Sequence, residues 1–157
     1  MTMTFTQPGI GQGLLRRLLD PISPQQVRRA AAQGIFISYT RADELFAFEL
    51  SNDLRADGLN IWVDLIDVPD DADWGESITS ALERCGLMVA IFSESALADA
   101  DLMAEQRRFT ETGKIVIPVL RQSCDVEAHT LWYPPLDFRS SYQRALRQLL
   151  RLLQPHI

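Results

Sequence analysis

Near the middle of the chain stand six consecutive apolar residues, LMVAIF, at positions 87–92. A strand that is apolar at every position is typical of a parallel sheet that is covered by helices on both faces. Two comparable runs flank it, IFISY at residues 35–39 and IVIPVL at residues 115–120. Together the three runs predict the central strands of an α/β domain.

Helical patterns separate these strands. Thr40 and Asp43, three residues apart, predict a capping box at the start of a helix that Gly58 ends. A second helix is predicted directly before the central strand, a third over residues 102–112 and a last one after Ser141.

Two shorter strands complete the pattern, at residues 59–63 and 136–138. Regular alternation of strands and helices predicts right-handed crossovers between parallel strands. The expected fold is therefore flavodoxin-like α/β, a five-stranded parallel sheet in the order 2-1-3-4-5 with helices on both faces. Pro118 has no amide hydrogen, so we expect it near the end of its strand or at a bulge.

Length and charge narrow the class of protein. The chain has 157 residues and a net charge of −6, which favours one acidic domain and argues against nucleic acid or an anionic membrane as a partner.

Two cysteines, Cys85 and Cys124, are too few for a disulfide framework. Residues 1–10 do not resemble a signal peptide, and no apolar run has the length of a membrane span. We therefore expect a cytoplasmic protein.

Residues 1–33 precede the first strand and predict a helical extension to a domain at residues 34–157. A leucine cluster at residues 14–19 forms one face of a short helix, and Ser23-Pro24 predicts the start of another. So short a helix must bury its apolar face. The candidates are its own domain, a second copy or a different protein, whereas a membrane surface fits poorly.

Several kinds of site are excluded by missing motifs. Neither His129 nor His156 has a second ligand at zinc spacing. The chain has no P-loop and no Gly-x-Ser-x-Gly elbow. A receiver-type acidic pair is also absent after the first strand, where Thr40 and Arg41 stand instead.

An open parallel sheet binds ligands beyond the carboxyl ends of its strands, at the point where the strand order reverses, which in this order lies between strands one and three. The residues delivered there are Tyr39, Thr40, Arg41, Asp64, Ser93 and Glu94. On the helix after the third strand, Glu105 lies three residues after Leu102, at the flank of the apolar face. Glu105 is either a partly desolvated carboxylate beside this crevice or a surface residue paired with Arg108.

In order and spacing, these segments resemble a Toll/interleukin-1 receptor (TIR) domain of the bacterial type. The resemblance covers about residues 34–153, and its motifs are weak singly but specific together. They are IFISY at 35–39, IWVD at 61–64, the segment at 69–74, IFSESAL at 91–97, GKIVIPVL at 113–120 and DFR at 137–139.

The resemblance implies a function as well as a fold. Some family members are scaffolds that signal through TIR–TIR contacts, and many bacterial and plant members cleave NAD+ at the nicotinamide–ribose bond. The glutamate of those enzymes matches Glu105, and Asp101 occupies the position of a tryptophan that precedes it. By the same resemblance, Tyr39, Arg41 and Asp64 line the ligand site.

Residues 64–73 form an acidic loop. The resemblance places this loop over the site and against a neighbouring subunit, where Arg107 and Arg108 are candidate partners, whereas a solvated loop is the simpler interpretation. Trp74 follows the loop and is either a substrate-binding residue or an aromatic staple at a helix start.

The resemblance therefore implies a bacterial defence effector that hydrolyses NAD+ to nicotinamide and ADP-ribose or a cyclic variant. NAD+ is the substrate, and no cofactor or metal is required. The implied partners are other TIR domains and a separate sensor protein. Two alternatives are a noncatalytic TIR interaction module and a nucleotide-sugar binding protein of similar fold.

Overall fold

A five-stranded parallel sheet forms the centre of the computed structural model, which describes residues 22–64, 74–125 and 134–154, apart from the side chain of Trp74. The strands are β1 (Ile35–Ser38), β2 (Ile61–Trp62), β3 (Leu87–Phe92), β4 (Ile115–Leu120) and β5 (Leu136–Asp137). Their order is β2-β1-β3-β4-β5, and each neighbouring pair is parallel. The predicted fold class and strand order are confirmed.

Helices cover both faces of this sheet. They are α1 (Pro24–Ala32), α2 (Glu44–Ala56), α3 (Trp74–Arg84), α4 (Glu94–Leu97), α5 (Ala100–Glu111) and α6 (Tyr142–Leu153), and a short 3-10 turn covers Arg41–Asp43. The sequence did not predict α4, because one helical turn is too short to show a period. Within the described ranges, no helix combines the length and apolar character that crossing a bilayer requires.

Successive strand residues point to opposite faces of the sheet, so two apolar cores form. On one face, α1, α2 and α6 pack against side chains that include Ile37 and Val89. On the other, α3, α4 and α5 pack against side chains that include Phe36. Ser38 lies two residues after Phe36 and therefore faces α5, the helix that carries Glu105.

The start of α2 differs from the predicted capping box. The Thr40 side chain makes no capping bond, and its hydroxyl instead donates to Asp99 at 3.0 Å. Asp43 is 2% exposed, accepts a 2.5 Å hydrogen bond from Ser93 and pairs with Arg121 at 3.3 Å. The capping box was wrong because both side chains have partners that local spacing does not reveal.

Three other helix ends follow the prediction. Gly58 and Gly113, which follow α2 and α5, have φ angles of 89° and 87°, a conformation that glycine adopts without steric cost. The Ser141 hydroxyl accepts a 3.2 Å hydrogen bond from the Arg144 amide and caps α6.

Pro118 lies inside β4, opposite Ala90, and not at a strand end or bulge as expected. Two residues later, the Leu120 carbonyl accepts a hydrogen bond from the Phe138 amide on the β5 side. Since hydrogen-bonding groups alternate sides along a strand, the Pro118 nitrogen faces that same side. Pairing with β5 begins only at Val119, so the missing donor does not interrupt the ladder.

The side chain of Lys114 closes the C-terminal end of α3. Its ammonium donates to the backbone oxygens of Leu82, Glu83 and Cys85 at 2.9, 3.0 and 2.8 Å. It also lies 5.1 Å from the centroid of the Phe109 ring. A cation at this position satisfies carbonyls that lack helical donors and interacts favourably with the helix dipole.

Helix α1 contributes to the core, although it precedes the first strand. Val27 is 0% exposed and Ala31 is 2% exposed, and the helix packs against α6. Ser23 and Gln26 form a capping box at its start, where the sequence predicted a helix. The buried core thus extends before residue 34. Residues 1–21 lie outside the described part, so the predicted division between a helical extension and the domain stays a prediction.

We expect a chain without residues 1–33 to be less stable than a chain that lacks only residues 1–21. The longer deletion removes Val27, whose burial contributes about 2 kcal/mol, and uncovers the apolar face of α6. Urea denaturation of the two truncated chains, followed by circular dichroism, measures the difference. Equal midpoints would show that α1 is not needed by the core.

Candidate functional site

A cavity of about 320 Å³ lies at the carboxyl ends of β1 and β2, beside α5. Ligands of open parallel sheets bind at this end of the strands. The structure brings five of the predicted site residues to it: Tyr39, Thr40, Arg41, Asp64 and Glu105. The two uses predicted for these residues, catalysis and substrate binding, stay predictions.

Tyr39 and Asp64 join the ends of two neighbouring strands. The Tyr39 hydroxyl donates a 2.5 Å hydrogen bond to Asp64 Oδ1. Burial, reinforced by this bond and by the charge of Asp64, raises the pKa of Tyr39 above its usual range. The tyrosine therefore stays a neutral donor that holds the aspartate at the rim of the cavity.

Asp99 connects the end of β1 to the start of α5. Its Oδ2 accepts a 3.0 Å hydrogen bond from the Thr40 hydroxyl, and its Oδ1 accepts a 3.1 Å bond from the Leu102 amide, as the N-cap of the helix. The Asp99 carboxylate thus links Thr40, a predicted binding residue, to the helix that carries Glu105.

Glu105 projects from α5 into the cavity and is half-buried. Ser38 Oγ donates to its Oε1 at 3.5 Å. Burial raises the pKa of Glu105 to about 7, and the charge of Asp64 acts in the same direction. The bond from Ser38 and the positive charge of the exposed Arg108 oppose this rise. Of the two interpretations of Glu105, the structure supports the partly desolvated carboxylate.

The cavity is acidic. Its described lining contains one arginine, Arg41, and five carboxylates, those of Glu44, Asp64, Asp99, Asp101 and Glu105. This excess of negative charge favours a cationic group in the cavity. Among the described residues, no cluster of three or more His, Cys, Asp or Glu side chains is arranged to hold a metal ion.

Ser93 was predicted to bind substrate, but it does not line the cavity. It follows β3 as expected, but α4 begins immediately after it, and its hydroxyl accepts a 3.1 Å bond from the Ala96 amide as the helix N-cap. The same hydroxyl donates to Asp43. Ser93 is fully buried and occupied by these bonds, and Glu94 is exposed on α4.

The predicted roles of Trp74 and the acidic loop concern the Trp74 side chain and residues 65–73, which lie outside the described part. The backbone of α3 begins at Trp74, and Ile78 of that helix lines the cavity. The helix start is therefore near the site, and the two interpretations of the tryptophan side chain both remain open.

Sequence reasoning missed Ser38, Glu44, Asp99 and Gln106 as residues of the site or its support. Ser38 looked like an ordinary strand residue, and Asp99 had a signal, since an aspartate three residues before Leu102 is a typical N-cap. Gln106 carried a second signal, because it is a polar residue at a buried position of α5.

We expect Glu105→Gln to stabilise the folded chain at pH 8 and not at pH 4. Because folding raises the pKa of Glu105, the stability that its proton contributes is present below pH 4.5 and is lost as the pH rises toward 7. Glutamine cannot ionise, so the variant should gain about 1–3 kcal/mol at pH 8. Urea denaturation at both pH values tests this, with Glu111→Gln, an exposed position of the same helix, as the control. An equal effect at the two pH values would contradict the prediction.

Comparisons with known proteins agree with this architecture. The family model described as "TIR domain" matches residues 35–150. A search of curated proteins found no match. Among solved structures, the TIR domain of the Toll-related receptor TRR-2 from Hydra magnipapillata has a TM-score of 0.61 at 20% identity, covering 74% of this chain and 94% of that one.

Two further structures are similar at lower scores. The TIR domains of the activated Roq1 resistosome, which recognises the effector XopQ, have a TM-score of 0.59 at 16% identity, covering 75% of this chain and 97% of theirs. The RPS4 and RRS1 TIR domain heterodimer has a TM-score of 0.51 at 21% identity, covering 74% and 92%. At these identities the likeness shows the fold.

Proposed function

Because this chain belongs to the TIR domain family, we propose that it is an NAD+ glycohydrolase that cleaves the nicotinamide–ribose bond. The observation that carries the proposal is the half-buried carboxylate of Glu105 in an acidic cavity at the carboxyl ends of the strands. The residue is the one that the family resemblance assigns to catalysis.

The chemistry needs one well-placed carboxylate. In NAD+ the nicotinamide is cationic, so it departs with the electron pair of the C1′–N bond without prior protonation. Positive charge then develops on the ribose, as in glycoside hydrolysis. Ionised Glu105 stabilises this charge, and the partly desolvated cavity strengthens the interaction. Water adds to C1′ and releases a proton, which gives ADP-ribose, and attack by another nucleophile gives a cyclic or exchanged product.

The neighbouring residues have distinct parts in this proposal. Asp64, held by Tyr39, faces the ribose or the nicotinamide, while Thr40 and Arg41 line the same cavity as further substrate-binding residues. A cavity of about 320 Å³ is at the lower end of the usual size of ligand sites, about 300–1,000 Å³. It therefore suits the nicotinamide–ribose end, and the rest of the dinucleotide extends beyond it.

The test is release of nicotinamide from NAD+ by the purified chain, measured by chromatography at high protein concentration. Appearance of nicotinamide together with ADP-ribose or a cyclic isomer is the expected result. Complete stability of NAD+ across protein concentrations, with a folded chain, would refute the proposed activity.

Activity should rise with pH through about pH 7. The active form of Glu105 is the carboxylate, and burial raises its pKa to about 7. Below this value kcat/KM should fall about tenfold per pH unit, and above it kcat/KM should become constant. A profile measured from pH 5 to pH 9 checks this. A profile that is flat, or that falls with rising pH, would assign the rate to a different group.

A noncatalytic TIR interaction module is the second candidate, and Asp101 favours it. This residue occupies the position where the family enzymes have a tryptophan, and it is exposed at the cavity. An aspartate there cannot supply the apolar packing of an indole ring. Absence of nicotinamide release, combined with specific association with another TIR domain, would support this candidate over the enzyme.

Assembly is a further part of the proposed function. Two of the similar solved structures are TIR domains in a resistosome and in a heterodimer. By analogy, this chain acts as a cytoplasmic defence effector through TIR–TIR contacts, with a separate sensor protein as the trigger. Light scattering with and without NAD+ measures whether the chain associates with itself.

A further inference from the structure

Ser38 is a buried polar residue at the end of a strand whose other side chains are apolar. It is 1% exposed and faces α5, where its hydroxyl lies between two side chains. Ser38 Oγ donates to Glu105 Oε1 at 3.5 Å and accepts from Gln106 Nε2 at 3.2 Å. The three side chains form a continuous row from the core to the cavity.

Gln106 stands where an apolar side chain is expected. It is 7% exposed and shares the buried face of α5 with Leu102, Met103 and Phe109. Placing an amide in such a core costs free energy unless the amide is hydrogen-bonded. Its bond to Ser38 therefore explains the presence of a polar group at this position.

The direction of the two bonds determines where the serine proton lies. A hydroxyl has one proton and can also accept, whereas the amide nitrogen of glutamine only donates. Because Gln106 occupies an acceptor position of Ser38 Oγ, the single hydroxyl proton of Ser38 is left for Glu105. A hydrogen bond donated to a carboxylate favours its ionised form.

We propose that Gln106 is a positioning residue. It directs the Ser38 hydroxyl proton to Glu105 and thereby stabilises the ionised Glu105 carboxylate in its orientation toward the cavity. Its catalytic importance rests on the proposed NAD+ cleavage, but the ionisation of Glu105 can be measured without substrate. The other charged groups that line the cavity are Arg41, Glu44, Asp64, Asp99 and Asp101, and the charge of Arg108 also acts on Glu105. They remain the same in every variant below, so differences between variants report on the serine and the glutamine.

The experiment is an NMR titration of the full chain carrying ¹³C-labelled glutamate carboxyl groups, with the Glu105 signal identified by its loss in Glu105→Gln. Ser38→Ala should raise the midpoint of Glu105 by about one pH unit, the equivalent of one hydrogen bond to a charged group. Gln106→Met keeps the side-chain volume and removes the donor, and it should raise the midpoint by about half a unit.

The double variant is the decisive case. If Gln106 acts through Ser38, Gln106→Met should add nothing to the shift that Ser38→Ala already causes. Ser51→Ala is the control, because Ser51 is an equally buried serine that bonds to the Ala47 carbonyl on the other face of the sheet. It should leave the Glu105 midpoint unchanged. If the methionine variant does not fold, Gln106→Asn carries the same test, because its shorter side chain cannot reach Ser38.

A midpoint in Gln106→Met equal to that of the wild type, or shifts that add in the double variant, would overturn the inference. These outcomes are independent of the proposed activity. A chain that releases no nicotinamide can still show the predicted midpoints, whereas an active chain in which Gln106→Met changes neither the midpoint nor the pH profile would refute the role of Gln106 alone.

Discussion

Replacement of Glu105 by alanine is expected to reduce nicotinamide release from NAD+ by at least about 10²–10³-fold, while the chain remains folded. The reason is that the proposed reaction depends on one negative charge beside the ribose as positive charge develops there. Glu105→Gln should fail nearly as badly, because it keeps the shape of the side chain and loses its charge. The loss should appear in kcat, with a smaller change in KM, since the interaction is strongest in the transition state.

The matched control is Glu111→Gln, which removes the same charge from the exposed end of α5. It should retain wild-type turnover. Near-normal turnover in Glu105→Ala would show that the reaction, if present, uses another residue. A large loss in both variants would indicate a general effect of charge or stability on the helix.

Replacement of Asp43 by alanine is the change expected to destabilise the fold most, by about 1–3 kcal/mol, because it leaves a buried donor unsatisfied. The carboxylate is 2% exposed, accepts a hydrogen bond from Ser93 and pairs with Arg121. Its removal leaves the fully buried Ser93 hydroxyl without its acceptor, whereas Arg121, whose side chain is 35% exposed, can still contact water. The effect should reach the cavity as well, because Asp43 ends the turn that begins with Arg41.

Urea denaturation measures this loss, with Arg139→Ala as the control. Arg139 pairs with Asp137 at 2.9 Å, but both side chains are exposed, so breaking this pair should change the midpoint very little. Asp43→Asn should be intermediate, because an amide oxygen can still accept from Ser93. If Asp43→Ala lost no more stability than Arg139→Ala, the buried network would not contribute to the fold.

The sheet was predictable because its strands are nearly continuous apolar runs. Once residues 35–39, 87–92 and 115–120 were identified as parallel strands, the handedness of crossover connections restricted their order. Two predicted roles were wrong, the capping bond of Thr40 and the place of Ser93 at the cavity, and in both cases the side chain has a distant partner. Thr40 bonds to a residue 59 positions away and Ser93 to one 50 positions away, so neither role is visible in a local pattern.

The residues that line the site were predictable, but the residues that support them were not. Tyr39, Asp64 and Glu105 converge because strand ends and the following helix start meet at one edge of the sheet. The supporting row from Gln106 to Glu105 was not predictable, since it requires the register between β1 and α5. Only the structure shows that Ser38 and Gln106 face each other.

The three backbone bonds of Lys114 also make this residue a chemical reporter. It is the only lysine in the chain, and its amine is engaged at the C-terminal end of α3. An acylating reagent should modify this amine faster when local opening breaks these bonds. The rate at which Lys114 is labelled therefore reports on how often the contact between Lys114 and the end of α3, a helix that borders the cavity through Ile78, is broken. A ligand that slows the labelling would reveal that it holds this helix in place.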